Sequence, residues 1–198
     1  MTTQKVFNPK GYFFLHETKF MSAASIYLES IRKRFVQYKQ LCDDAFLQLE
    51  EKDFHFCPAE DSNSISVLIR HMSGNMRSRF TAFLTSDGEK AWRNRDAEFE
   101  ATDITSDQLI QEWNESWLCV FDALDVLNEE NLSSTITVRN QPHSVVDALN
   151  RQLGHYAYHA GQIVLLAKMI KGKAWKSLSI PKGGSQAFNE QMRKQHTT

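Results

Sequence analysis

Residues 145–171 read VVDALNRQLGHYAYHAGQIVLLAKMIK, and this stretch decides the fold class. Apolar side chains recur every three or four residues from Leu149 to Val164, the spacing of one face of an α-helix. Ser144 before the stretch and Gly172 after it are typical start and stop residues of helices. The stretch therefore predicts a long amphipathic helix that covers all of its residues.

Three earlier segments have the same periodicity and predict three more helices. The first runs from Phe20 to Leu49, and the second runs from a cap at Ser62 or Asn63 to a turn that ends at Gly88. The third covers residues 105–127 and opens on a Thr-x-x-Gln capping box. Four long helices in a chain of 198 residues predict an all-α protein built as a four-helix bundle.

The connecting segments are less regular than the predicted helices. A long charged loop, KAWRNRDAEFEATDI, joins the second and third helices, and STITV before the last helix predicts a short extended piece. A tail from residue 173 contains Trp175, Ile180 and Phe188, which predict that it packs on the bundle before its end frays. No domain boundary is visible, so residues 1–198 are interpreted as one domain with a core at about 18–172.

Composition excludes several classes of protein. Lys and Arg total 23 against 24 for Asp and Glu, so no basic excess indicates a nucleic-acid partner. We expect no membrane span and no signal peptide, because no long apolar run or cleavage pattern is present. The cysteines are odd in number and widely spaced, which favours reduced thiols in the cytoplasm. Cys57, which precedes Pro58, is the one cysteine that merits a test of reactivity.

The histidines carry the strongest chemical signal. His155 and His159 lie one helical turn apart, so their imidazoles can converge on one metal ion. The intervening residues are Tyr-Ala-Tyr, so the glutamate of a zincin peptidase is absent. His71 lies on the corresponding side of the second predicted helix and could supply a third ligand from an adjacent helix. The alternative is a set of histidines that are satisfied by water or by their neighbours.

These residues carry a resemblance to a known superfamily. His71, followed on the last helix by HYAYH and AGQI, is similar to the pattern of the DinB/YfiT-like proteins. The stretches NSISVLIRHMSGNMRSRFTAFLTSDGEKAWRNRDAEFE and WKSLSIPKGGSQAFN resemble an uncharacterised DUF branch of that superfamily, and the resemblance spans about residues 18–190.

The resemblance implies a four-helix bundle, often dimeric, that holds a divalent metal ion. In this chain the ligands would be His71, His155 and His159. Zinc, nickel and iron all accept imidazole, so the ligand type does not choose among them. Some members of the superfamily are thiol S-transferases that use low-molecular-weight thiols such as bacillithiol or mycothiol, and others are described as metal-dependent hydrolases.

Catalytic partners for such a metal are harder to find. No carboxylate lies on the histidine face, so the candidate bases are Asp96, Glu98 and Glu100 in the charged loop, where the alternative is a solvated loop or a dimer contact. Arg151 could orient an anionic substrate or form a surface ion pair. Tyr158 could donate a proton or simply pack.

Two hypotheses of different classes follow. The first is a metal-dependent enzyme, a thiol S-transferase or a hydrolase, that acts on a small molecule. The second is a non-catalytic dimeric bundle that works through partner binding and whose histidines hold no metal. The second hypothesis predicts an apolar surface patch around Trp113 and Trp117.

Overall fold

The computed structural model describes residues 22–196, and within this range the chain is mostly helical with a single two-stranded antiparallel sheet. Its α-helices are α1 (Ala23–Phe46), α2 (Glu51–Phe54), α3 (Ile65–Phe80), α4 (Ser106–Asp125), α5 (Val145–Lys171) and α6 (Ser185–His196). The strands are β1 (Thr135–Val138) and β2 (Gln141–Ser144). Among the helices of residues 22–196, none is long and apolar enough to cross a membrane.

The start signals of the later helices are confirmed. The hydroxyl of Ser144 accepts a hydrogen bond from the backbone N–H of Asp147, and α5 ends at Gly172, whose φ is +52°. Thr105 and the third residue of α4, Gln108, form the predicted capping box. Helix α3 is capped by Ser64 rather than by Ser62 or Asn63, because the Ser64 hydroxyl accepts the N–H of Val67.

The ends of the first two long helices differ from the predictions. Helix α1 ends at Phe46 rather than Leu49, and Phe20 lies outside the described residues. Helix α3 ends at Phe80, and Ala82 has a φ of +50°, which breaks the helix before the predicted turn. Phe83 is nevertheless buried and stacks on Phe80 with ring centroids 5.2 Å apart, so its apolar spacing reflects a core contact outside the helix.

The predicted extended piece is β1, and it pairs with a second strand that the sequence did not predict. Val138 pairs with Gln141, and the two residues between them, Arg139 and Asn140, both have positive φ. The Asp87 carboxylate accepts the backbone N–H of Arg139 and of Asn140, at 2.9 and 2.8 Å. This carboxylate therefore ties the hairpin to the loop that follows α3.

The four long helices contact one another in a ring, in the order α1, α5, α3, α4 and back to α1. Near the start of α1, Tyr27 donates to the backbone oxygen of Val146 at the start of α5. Just beyond the ends of the same two helices, Gln48 accepts from the backbone N–H of Lys176. Helices α1 and α5 therefore run in the same direction.

Side-chain contacts also fix the direction of α3 and α4. Arg77 pairs with Glu112, and one turn later Thr81 contacts Cys119, so α3 and α4 run in the same direction. Helix α4 runs opposite to α1, since Lys39 donates to Asn114 while the earlier Arg32 pairs with the later Asp125. Because α4 spans 20 residues and about 30 Å, the connection from α3 must return along that length.

Large aromatic side chains fill the space between these helices. Phe35 of α1 is fully buried, and its ring contacts Phe80 of α3, Trp117 of α4 and Tyr156 of α5 at centroid distances of 6.3, 6.1 and 5.7 Å. Trp113 is also fully buried, and its indole N–H donates to Asp43. Trp117 is fully buried as well, so neither tryptophan contributes to the apolar surface patch that the hypothesis of a non-catalytic bundle predicts.

The C-terminal tail packs on the helices over only part of its length. Trp175 and Leu178 are half-buried against the core. Ile180 and Phe188 are exposed, so the predicted packing of these two side chains is wrong. Helix α6 lies in this tail, and the sequence analysis did not predict it.

We predict that Phe35→Ala lowers the free energy of unfolding by about 3–5 kcal/mol, because it removes a ring that contacts three other helices. Phe188→Ala is the matched control, since that ring is 42% exposed on α6, and its effect should stay within about 0.5 kcal/mol. Urea denaturation followed by circular dichroism measures both. Equal losses would contradict this account of the core.

Candidate metal centre

The structure brings the three predicted histidines together between α3 and α5. The Nε2 atom of His155 lies 3.3 Å from Nε2 of His71 and 3.1 Å from Nε2 of His159. One ligand atom from each residue lies within 4.8 Å of those from the other two. His71 and His159 are buried and His155 is half-buried, so the cluster lies at the edge of the core.

A buried hydrogen bond fixes how α5 faces α3 at this level. The hydroxyl of Tyr156 donates to the side-chain oxygen of Asn75 at 3.0 Å, and Tyr156 is fully buried. Tyr156 follows His155 directly, so this contact sets the rotation of α5 about its own axis. Asn75, one turn after His71 on α3, thus positions the opposite helix.

An ion pair in the charged loop, Glu98 with Arg93, binds Nδ1 of His71, the ring nitrogen that faces away from the cluster. Nδ1–H of His71 donates to Oε2 of Glu98 at 2.9 Å, and the ring of Phe99 lies 4.9 Å from the imidazole ring. Arg93 binds the same carboxylate through Nε to Oε1 at 2.8 Å and through Nη2 to Oε2 at 2.9 Å. Both charged side chains are buried.

The outer nitrogen of His159 also has a partner. Its Nδ1–H donates to Oε1 of Gln162 at 2.9 Å, one turn further along α5. In the neutral imidazole only one nitrogen carries a proton, so this bond leaves the lone pair of Nε2 facing the other histidines. His71 is held in the same tautomer by Glu98. Two of the three imidazole rings are therefore oriented by hydrogen bonds at Nδ1, which leave Nε2 directed at the cluster.

Burial shapes the protonation of the cluster. Burial, helped by the nearby His159 and His71, lowers the pKa of His155 to about 3. Burial also lowers the pKa of His159, although its bond to Gln162 opposes the change. Burial disfavours ionisation of Glu98, but hydrogen bonds from His71 and Arg93 outweigh it and lower the pKa of that carboxyl. The neutral imidazole favoured at His155 and His159 is the form that binds a metal ion, and an ionised carboxylate such as Glu98 is a common hydrogen-bond partner of a ligating histidine.

The donor set fits a divalent metal ion. Two nitrogens bound at about 2.05 Å to a tetrahedral ion lie about 3.3 Å apart. The observed separations of 3.1 and 3.3 Å match this value. His71, His155 and His159 could therefore hold a metal ion, and zinc, nickel and iron all accept such nitrogen ligands.

The other predicted residues surround the cluster at different depths. Asp96 and Glu100 are exposed on the loop, while Glu98 between them is buried behind His71. Arg151 is exposed one turn before His155. Tyr158 is exposed, and its ring lies 4.9 Å from that of His159. Cys57 is a free, exposed thiol, and Cys42 and Cys119 are also free.

Sequence reasoning missed the role of three residues. Arg93 gave no signal beyond its place in a mixed basic and aromatic stretch. Gln162 lies on the polar line of the histidines, but nothing in the sequence shows which nitrogen it contacts. The third is Gly74, in the middle of α3, where a Cβ atom would meet the carboxylate of Glu98. A glycine inside a helical pattern costs helix stability unless it serves packing or function, so the sequence did carry a signal here.

Fold and site together define a mostly helical protein with a three-histidine cluster that could hold a metal. Residues 22–184 match the family described as "Protein of unknown function (DUF1572)", so the chain belongs to the DUF1572 family. No curated protein matches the sequence. A crystal structure of a conserved protein from Enterococcus faecalis is similar in fold, with a TM-score of 0.61 and 18% identity over 77% of this chain and 99% of that one.

We predict that Arg93→Ala lowers the free energy of unfolding by about 3–5 kcal/mol, because it leaves the buried carboxylate of Glu98 without its guanidinium partner. Arg95→Ala is the control in the same loop. Arg95 is exposed and lies over the ring of Phe99, so its loss should cost less than about 1 kcal/mol. Urea denaturation compares them, and equal effects would show that the buried pair does not anchor the loop.

Proposed function

We propose that this chain is a DinB/YfiT-like four-helix bundle and a metal-dependent enzyme that acts on a small molecule, as a thiol S-transferase or a hydrolase. His71, His155 and His159 would hold one divalent ion of zinc, nickel or iron. The convergence of three Nε2 atoms, two of them on imidazoles held from behind, carries the proposal.

The helix arrangement supports the bundle. Four long helices contact one another in a ring, with two neighbouring helices running one way and the other two running the opposite way. The likeness to a solved structure at 18% identity concerns the fold alone. The resemblance to the superfamily also implies a homodimer, and we extend the proposal to that assembly.

When bound, the ion supplies a Lewis acid, and three protein ligands leave coordination positions open. The chain's own residues would do the remaining work. Arg151, exposed one turn before His155, would bind an anionic group of the substrate. The exposed hydroxyl of Tyr158, beside His159, would hold or donate a proton.

The cysteines bear on the proposed substrate and compartment. Cys42, Cys57 and Cys119 are unpaired, which is compatible with a reducing cytoplasm where low-molecular-weight thiols are abundant. A thiol of this kind would be the small-molecule substrate of the transferase reaction. Neither nucleic acid nor membrane is part of the proposal.

The metal site is tested by elemental analysis of protein purified without chelators and reconstituted with zinc, nickel or iron. We expect about one ion per chain in the wild type and less than about a tenth of that in His155→Ala or His159→Ala, because each variant removes one of three ligands. His143→Ala is the control, since that side chain pairs with Asp147 away from the cluster. Metal retained in all three variants, or absent from the wild type, would contradict the proposal.

The reaction class is tested with the metal-loaded protein. A panel of thiols with electrophilic acceptors, and a panel of amide and ester substrates, would be followed by mass spectrometry. We expect turnover in one panel that is lost in His155→Ala and kept in His143→Ala. Turnover that is equal in both variants would assign the activity to something other than the histidine cluster.

A further inference from the structure

We propose that Glu98 is a positioning residue for the metal ligand His71, and that Gly74 is a glycine because the carboxylate of Glu98 occupies the space of a side chain there. The proposal rests on the proposed metal site and adds a role for the loop that connects α3 to α4. It makes that loop part of the metal centre.

The first observation is the way the Glu98 carboxylate is held. It is buried, and its two oxygens receive three hydrogen bonds, one from His71 and two from Arg93. A buried carboxylate is costly unless every such bond is made, so this side chain is fixed in place. Its bond to Nδ1 of His71 keeps the proton on that nitrogen and leaves Nε2 free to bind a metal.

The second observation is the close approach of Glu98 to α3. A Cβ atom placed on Gly74 would lie 2.1 Å from Oε1 and 2.8 Å from Cδ of Glu98. Among the described residues, leaving aside the chain neighbours and the nearby backbone of α3, the next nearest atom is Cγ of Glu98 at 3.5 Å, so the added methyl group would meet the Glu98 side chain. An alanine there would displace the carboxylate and leave the helix backbone in place.

Next to Glu98 there is room for a displaced carboxylate. A cleft of about 200 Å³ lies beside Glu98, and Arg70, Arg77 and Trp92 contribute to its walls. Rotation of Glu98 toward this cleft would break its bond to His71 and bring the carboxylate toward Arg70 and Arg77, of which Arg77 already pairs with Glu112 in the same wall. The methyl group of Gly74→Ala, which contacts Glu98, would thereby remove the hydrogen bond that orients His71.

The test measures zinc affinity by competition with a chromophoric chelator in full-length wild type, Glu98→Ala, Glu98→Gln, Gly74→Ala and the double variant Gly74→Ala/Glu98→Ala. We expect Glu98→Ala and Gly74→Ala each to lose about 10- to 100-fold in affinity. Glu98→Gln should recover part of the loss, since its amide oxygen still accepts from Nδ1 of His71. In the double variant the glycine change should add nothing, because its target is gone.

Gly154→Ala is the matched control. It makes the same substitution in the middle of a helix, next to His155, and apart from the two chain neighbours and the nearby helix backbone no described residue lies within 4 Å of the new Cβ. Its zinc affinity should equal that of the wild type. Circular dichroism confirms that every variant is folded.

A second readout separates positioning from a general loss of structure. Long-range ¹H–¹⁵N spectra of zinc-free protein report which nitrogen of His71 carries the proton. We expect Nδ1–H in wild type and Gly154→Ala, and a mixture of tautomers in Glu98→Ala and Gly74→Ala.

The outcomes distinguish the two proposals. A wild type that binds neither zinc nor, in the same assay, nickel or iron overturns the metal site and this inference with it. A wild type that binds zinc, together with Glu98→Ala and Gly74→Ala variants that bind it equally well, overturns the positioning role alone. A further loss in the double variant beyond that of Glu98→Ala overturns the link between Gly74 and Glu98.

Discussion

The shared direction of α3 and α4 is the constraint on which the rest of the structure depends. Neighbouring helices that run the same way cannot be joined by a tight turn, so the chain must travel back the length of a helix between them. The returning loop lies against α3 and forms a 3₁₀ turn at Asp96–Phe99. Because the loop has to return along α3, it brings the carboxylate of Glu98 next to Nδ1 of His71, 27 residues earlier in the chain.

Charge explains why this loop is ordered although its sequence is polar. An Arg–carboxylate pair with two parallel hydrogen bonds is both strong and directional, which a lysine could not reproduce. Arg70 donates hydrogen bonds to the backbone oxygens of Ala97 and Glu100, so α3 also binds the loop on both sides of Glu98. Asp96 is exposed and remains solvated, whereas Glu98 is buried and binds His71.

The sequence predicted what depends on local pattern. Periodicity and caps located α4 and α5 well, and the spacing of His155 and His159 placed both on one face. The end of α3 was missed because Phe83 continues the apolar spacing after the backbone has turned at Ala82. The partners of the imidazoles were missed for a different reason. Which loop carboxylate meets His71 depends on the crossover path, and local pattern carries no information about that path.

The hydrogen bonds from the hairpin backbone to Asp87 constrain the number of residues between the start of α5 and its histidines. Strand β2 ends at Ser144, and α5 begins at the next residue. Holding the hairpin to the loop after α3 therefore also fixes the position along α3 at which α5 starts. Each helical residue adds about 1.5 Å of rise and about 100° of turn. One residue inserted between Ser144 and His155 would therefore swing both histidines away from His71. The number of residues from the hairpin to the cluster is therefore set by the geometry of the histidine cluster, whereas the outward surface of α5 carries no such constraint.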